Sequence, residues 1–271
     1  MKIYILVENS AGPGFGAEHG ISYLIESDEK NILFDTGHTD LFIKNANLLG
    51  FDLLDKIDTI VISHGHWDHI NGLSFLVRKL KSERKDKKKI SLYAHPGIFK
   101  KRYHKGSDKN LGSRINQEEL ADIFDLVLTD IPVEIIKNIY FLGKIPRITG
   151  FEAQSTPYVF EDHSPDYLLD DSGLLIIIED KLILISGCAH SGICNMTEYA
   201  KNVSGFKDFL AILGGFHLKT YNAQAIETVN YLKRQSITRL FPSHCTRLPV
   251  VIKMGQHLNV EPVLTGMVLE F

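Results

Sequence analysis

Two stretches far apart in the chain carry the same pattern, and that pattern narrows the fold. In the first, residues 21–25 and 31–34 read as strands joined by a polar turn, and the second strand runs into Asp35-Thr36-Gly37. In the other, 174–179 and 182–185 read as a hairpin about Asp180-Lys181, running into Ser186-Gly187-Cys188-Ala189-His190. A helix followed by a strand comes next in both halves. Two similar β-rich halves, each with helices on its outer face, bury both sets of strands when the sheets face each other. The expected class is α/β, as a four-layer αββα sandwich. At 271 residues and 44% hydrophobic, the chain suits one such domain over 1–271.

The remaining elements follow from apolar spacing. Residues 2–8 read as a first strand, and Leu41, Phe42, Ala46 and Leu49 mark a helix. Residues 57–62 are a buried strand, 90–94 another, and 116–124 a helix. The polar, basic stretch 100–114 is expected as a flexible flap, within a variable insertion at about 100–170 that Pro132, Pro146, Pro157 and Pro165 punctuate. Residues 193–203 and 223–234 read as helices, 209–213 and 238–241 as strands, and 263–264 with 267–269 as a closing hairpin.

The chemistry concentrates in Ser63-His64-Gly65-His66-Trp67-Asp68-His69, between the strand 57–62 and a helix that starts near Asn71 or Gly72. His64 and His66, two apart in extended chain, can aim at one point in space. Asp68 and His69 then turn away toward a second. Neutral imidazole and carboxylate are ligands for zinc, iron or manganese. A second loop, 9–20, is rich in glycine but lacks the order of a phosphate-binding loop. It is expected as a rim loop that carries His19.

Composition excludes several classes. The formal net charge of −3 calls for neither nucleic acid nor an acidic membrane surface as an obligate partner. The basic run 78–89 reads as a solvated helix end and loop. No apolar stretch is long enough to span a bilayer, and the N-terminal apolar run is too short for a secretory signal. Cys188, Cys194 and Cys245 cannot all pair and form no C-x-x-C, which points to a reducing, cytoplasmic setting. A homo-oligomer is compatible with all of this.

The His64–His69 motif resembles that of the metallo-β-lactamase superfamily. Glu8-Asn9-Ser10, Glu18-His19-Gly20, Leu33-Phe34-Asp35-Thr36-Gly37, Gly187-Cys188-Ala189-His190-Ser191-Gly192, Gly214-Gly215-Phe216-His217-Leu218 and His244-Cys245-Thr246 look like one branch of it. That branch is similar to archaeal 7,8-dihydropterin-6-yl-methyl-4-(β-D-ribofuranosyl)aminobenzene 5′-phosphate synthases, which join a pterin methyl diphosphate to an arylamine ribofuranosyl phosphate. The resemblance implies one or two divalent metal ions, zinc before iron or manganese. His64, His66 and His190 would serve the first, and Asp68, His69 and His244 the second. Asp68 would also be catalytic. Asp35 would orient a ligand histidine from behind.

One position departs from the family. An Asp that bridges both metals usually follows the strand 209–213, and here that strand runs into Gly214-Gly215-Phe216-His217. An imidazole nitrogen has one lone pair and bridges poorly. His217 is left as ligand, substrate contact or strand cap, with substrate contact preferred. Cys188 and Cys245, beside proposed ligands, read as small packing residues. The expected function is a metal-dependent hydrolase or transferase acting on a phosphorylated or pterin-like small molecule, an anionic substrate. The alternatives are a di-iron redox enzyme and a metabolite sensor with a degraded metal site.

Overall fold

A computed structural model describes residues 1–27, 30–83 and 89–271. In chain order its strands are β1 (Lys2–Val7), β2 (Ser22–Glu26), β3 (Asn31–Phe34), β4 (Thr59–Val61), β5 (Ile90–Ala94), β6 (Arg102–His104), β7 (Phe124–Leu128) and β8 (Val133–Ile136). They continue with β9 (Ile139–Phe141), β10 (Tyr158–Phe160), β11 (Gly173–Ile178), β12 (Lys181–Ser186), β13 (Phe209–Gly215), β14 (Ile237–Ser243) and β15 (Val268–Glu270). The helices are α1 (Leu41–Leu48), α2 (Leu53–Lys56), α3 (Trp67–Ile70), α4 (Leu73–Glu83), α5 (Gln117–Ala121), α6 (Ile193–Ser204), α7 (Ala223–Lys233) and α8 (Leu248–Gly255).

Two sheets form the middle of the molecule. One has seven strands in the order β15-β1-β2-β3-β4-β5-β7, the other six in the order β14-β13-β12-β11-β9-β8. The echo in the sequence is an echo in topology. In each sheet an antiparallel hairpin, β2–β3 or β11–β12, passes to parallel strands, β4–β5 or β13–β14.

Strand alternation builds the layers. Successive side chains on a strand face opposite sides. Ile3 and Ile5 of β1 pack between the sheets with Ile183 and Ile185 of β12. Tyr4 and Leu6 turn outward to Phe42 and Leu76 on α1 and α4. Leu182 and Leu184 turn the other way, to Met196, Val229 and Met254 on α6, α7 and α8. Three apolar layers between four sheets of structure make the αββα sandwich.

The structure departs from the sequence reading at several places. The tail forms no hairpin of its own: β15 pairs antiparallel with β1, setting Leu269 opposite Ile3. The helix expected over 116–124 stops at Ala121, opened by a reciprocal Asn116–Glu119 cap, and Phe124 starts β7. Residues 248–255, for which no element was expected, form α8. The stretch expected as a flap holds Arg102, which is 1% exposed and bonds Asp170 at 3.1 Å, and β6 pairs with β10. Within 100–170, β7 extends the first sheet, while β8 and β9 extend the second. The basic run continues α4 to Glu83, and its residues 84–88 lie outside the described ones. Among the described residues, no helix is long and apolar enough to cross a membrane.

Candidate metal centre

The loops that leave β1, β3, β4, β12, β13 and β14 meet at one edge of the sandwich. Four of these exits hold a non-glycine residue at positive φ: Asp35, Ala189, His217 and His244. Such backbone persists only where its surroundings over-determine it, and here the surroundings are a network of side-chain bonds.

Asp35 is the hub. Its Oδ1 accepts from Ser63 N at 2.7 Å, and its Oδ2 accepts from Ser63 Oγ at 2.7 Å and from His69 Nδ1 at 2.6 Å. Since Ser63 Oγ donates to Asp35, it accepts from His64 Nδ1 at 2.9 Å. One buried carboxylate therefore fixes two rings, His69 directly and His64 through the serine. Both rings spend Nδ1 on the scaffold and turn Nε2 toward the site.

His64, His66 and His190 form the first donor group. His66 Nδ1 lies 3.1 Å from His64 Nε2 and 3.1 Å from His190 Nε2. Nitrogens bound tetrahedrally to one zinc at 2.0–2.1 Å stand roughly 3.3 Å apart, so the spacing fits a single cation. Burial pushes the pKa of each of the three rings well below the ordinary value for histidine, so all are neutral with a lone pair free. Their loops are held from below. Asp170 accepts from Gly65 N at 2.8 Å, and Asp171 accepts from Ser191 N at 2.8 Å and Ser191 Oγ at 2.5 Å.

The second group gathers about Asp68. Its Oδ2 lies 3.1 Å from His19 Nε2 and 3.4 Å from His244 Nε2, and His69 Nε2 lies 3.3 Å from His244 Nε2. Burial works against the charge on Asp68, but His69, His19 and His244 outweigh it and hold the carboxyl well below its usual range. Burial likewise opposes the charge on His69, and the Asp35 and Asp68 carboxylates override it, pushing His69 up to about 9. His244 is oriented as His69 is. Asn9 Oδ1 accepts from His244 Nδ1 at 3.0 Å, Asn9 Nδ2 donates to His244 O at 2.9 Å, and Glu8 accepts from His244 N.

All the expected site residues thus meet at one edge, and some stand closer in than expected. His19, expected as a rim or substrate residue, groups with Asp68 and His244 as a donor. Cys188 and Cys245, expected as packing residues, both line the cavity over the site, and Cys188 Sγ lies 3.3 Å from His69 Nε2. His217 packs its ring on His190 with centroids 4.2 Å apart, and its Nδ1 is buried with no partner among the described residues.

The cavity, about 230 Å³, has Lys219 and Arg247 in its lining with Tyr158. A second recess of about 160 Å³ shares Tyr158, His190 and His217 with it and adds Arg147, Gln154 and Tyr167. Sequence reasoning passed over Ser63, Tyr158, Lys219 and Arg247. Ser63 had a signal, its place between a strand and the first histidine; the others had none. The three neutral imidazoles of the first group and the ionised carboxylate of the second suit a divalent transition metal.

A four-layer sandwich with an H-x-H-x-D-H loop after a strand defines a metallo-hydrolase type of scaffold. Residues 16–201 match the model of the metallo-β-lactamase superfamily, and the chain belongs to that superfamily. It is 33% identical over 264 residues to the 7,8-dihydropterin-6-methyl-4-(β-D-ribofuranosyl)-aminobenzene-5′-phosphate synthase of Methanocaldococcus jannaschii, covering 91% of this chain and 87% of that one. Its fold matches a solved metal-dependent hydrolase of the β-lactamase superfamily at TM-score 0.85, with 26% identity over 100% of this chain and 99% of that one. Zinc-bound PqqB from Methylobacterium extorquens shares the fold at TM-score 0.58, with 15% identity over the full length of both chains.

Proposed function

We propose that the protein is a metal-dependent enzyme that acts on a phosphorylated small molecule, by hydrolysis or by transfer with a phosphate or diphosphate leaving group. The observation that carries this reading is the pairing of two donor groups under a cavity whose lining is cationic. His64, His66 and His190 would hold one divalent cation, and Asp68, His69 and His244 a second, with His19 beside them. When bound, such cations supply Lewis-acid polarisation of a phosphoryl oxygen and hydroxide at near-neutral pH. Zinc suits the donors best, with iron and manganese as alternatives.

The chain's own residues then have distinct tasks. Asp68, held ionised and 3.1 Å from His19 Nε2, accepts a proton from the attacking group and passes it to His19, which is half exposed. Lys219 and Arg247 hold the anionic group of the substrate at the cavity wall. His217 reaches the cavity and the recess alike and contacts substrate without binding metal. Tyr158 and Tyr167 give the recess flat apolar walls against which a ring system such as a pterin can lie. The resemblance to the archaeal synthase supports a pterin methyl diphosphate as one substrate to try.

The test is metal content of protein purified without added metal, followed by release of phosphate or diphosphate from a panel of phosphoesters and pterin methyl diphosphates. Two equivalents of metal, with turnover lost to a chelator and regained on reloading, are expected. Turnover that survives complete removal of metal overturns the reading.

A further inference from the structure

The two donor groups lack a carboxylate between them, and a side chain at the last residue of β13, Gly215, would be crowded. A Cβ on Gly215 would stand 2.6 Å from Cys245 Sγ, 2.6 Å from Gly187 O and 3.2 Å from Cys188 Cα. The space beside Gly215 is already filled by the exits of β12 and β14. The exit of β12 brings its own side chain instead. A Cβ on Gly187 would meet Ser63 Oγ at 2.1 Å and Asp35 Oδ2 at 3.1 Å, so a glycine there lets the chain press against the hub that orients His64 and His69. Cys188 follows, 4% exposed.

We infer that Cys188 Sγ is the bridging ligand, a thiolate shared by both cations in place of the family's carboxylate. The inference rests on the two-cation reading above. Cys188 Sγ belongs with His64, a donor of the first group, and with His69, whose Nε2 lies 3.3 Å from Cys188 Sγ and 3.3 Å from His244 Nε2 in the second. A thiolate sulfur has three lone pairs and serves two cations, which a ring nitrogen cannot do. Were two cations bound, the S–H proton would leave to solvent and the sulfur would offer one pair to each, with nothing oxidised. Cys245 is not the bridge. Its sulfur groups with Cys188 and His217, not with His64 or His69. A sulfur at the centre favours zinc or ferrous iron over manganese.

The test uses the protein reloaded with cobalt(II), read by metal stoichiometry and by the thiolate-to-cobalt charge-transfer absorption. Two equivalents with that absorption are expected in the wild type and in Cys245→Ser. Cys188→Ser should lose the absorption and bind the second equivalent at least ~10-fold more loosely. Cys188→Asp, which keeps a bridging group and guards against a variant that fails to fold, should bind two equivalents without it. Two equivalents without absorption in the wild type, or absorption that survives Cys188→Ser, overturns the bridge and leaves the two-cation reading standing. A single equivalent in the wild type overturns that reading, and the bridge with it.

Discussion

The two donor groups are built from different materials. The first is three imidazoles, all pressed toward neutrality by burial and holding no charge of their own. The other surrounds an ionised Asp68 with His19, His69 and His244, and His19 is half exposed. A cation in the first would be held by geometry and desolvated donors, and one in the second by charge at the solvent edge. On the reading proposed above, the difference would be a division of labour: the first group would be a fixed anchor, and the second, with half-exposed His19 beside it, would be where protons come and go.

The largest effect should come from breaking the anchor. His190→Ala removes one of three converging nitrogens and should lose the tightly held equivalent of metal, with activity at background; elemental analysis alongside turnover checks it. Asp68→Asn comes next. It should leave the first equivalent in place while lowering kcat by about 10²–10⁴-fold, the usual worth of a positioned proton acceptor. If both variants lose the same equivalent of metal, the two groups are one site and the contrast fails.

Asp35→Asn sharpens the contrast from behind. An amide cannot accept from both Ser63 Oγ and His69 Nδ1 on one oxygen with the strength of a carboxylate. Metal affinity should fall by about 10–100-fold, as for other partners behind a ligand. The loss should be greater for the second equivalent, because His69 touches Asp35 at 2.6 Å while His64 reaches it only through Ser63. Competition with a chromophoric chelator resolves the two equivalents.

Much of this was legible in the sequence, for a physical reason. Metal ligands need particular atoms at strand ends, so His64, His66, Asp68, His69, His190 and His244 stand out beside apolar runs. Both hairpins were legible because each is local. What escaped was non-local or disguised. The β15–β1 pairing joins residues at opposite ends of the chain. α8 begins Leu248-Pro249-Val250-Val251-Ile252, a β-branched run with Leu248 and Ile252 largely exposed, so it looks more like a strand than a helix. Asn9 and Ser63 each reach one of the site's histidine rings through a single bond, and of the two only Ser63 has a signal in the sequence, its place just before His64. Cys188 reads as packing in the sequence because nothing local marks it out, and only the fold brings its Sγ within 3.3 Å of His69 Nε2.

The smallest effect tests what supports each group. Asp35 meets an imidazole, whereas Asp171, behind His190, meets only Ser191, and its Oδ1 is buried with no partner. Burial, only partly offset by the Ser191 bonds, pushes Asp171 from 3.8 up to about 6. The folded state then holds a proton that the unfolded chain has lost between those pH values. Stability from this group is full below the unfolded value near 4 and falls as pH rises through about 6. Asp171→Asn keeps an oxygen for Ser191 and carries no charge to bury. Its stability to denaturant should match the wild type at pH 4 and exceed it at pH 7.5, by an amount on the order of 2–3 kcal/mol for a shift of this size. Because the variant changes the footing of the anchor without changing its donors, the first equivalent of metal should bind at least as tightly as before at pH 7.5. A variant less stable than the wild type at that pH would mean that the charge on Asp171 is compensated after all, and the anchor would no longer differ from its neighbour in how it is held.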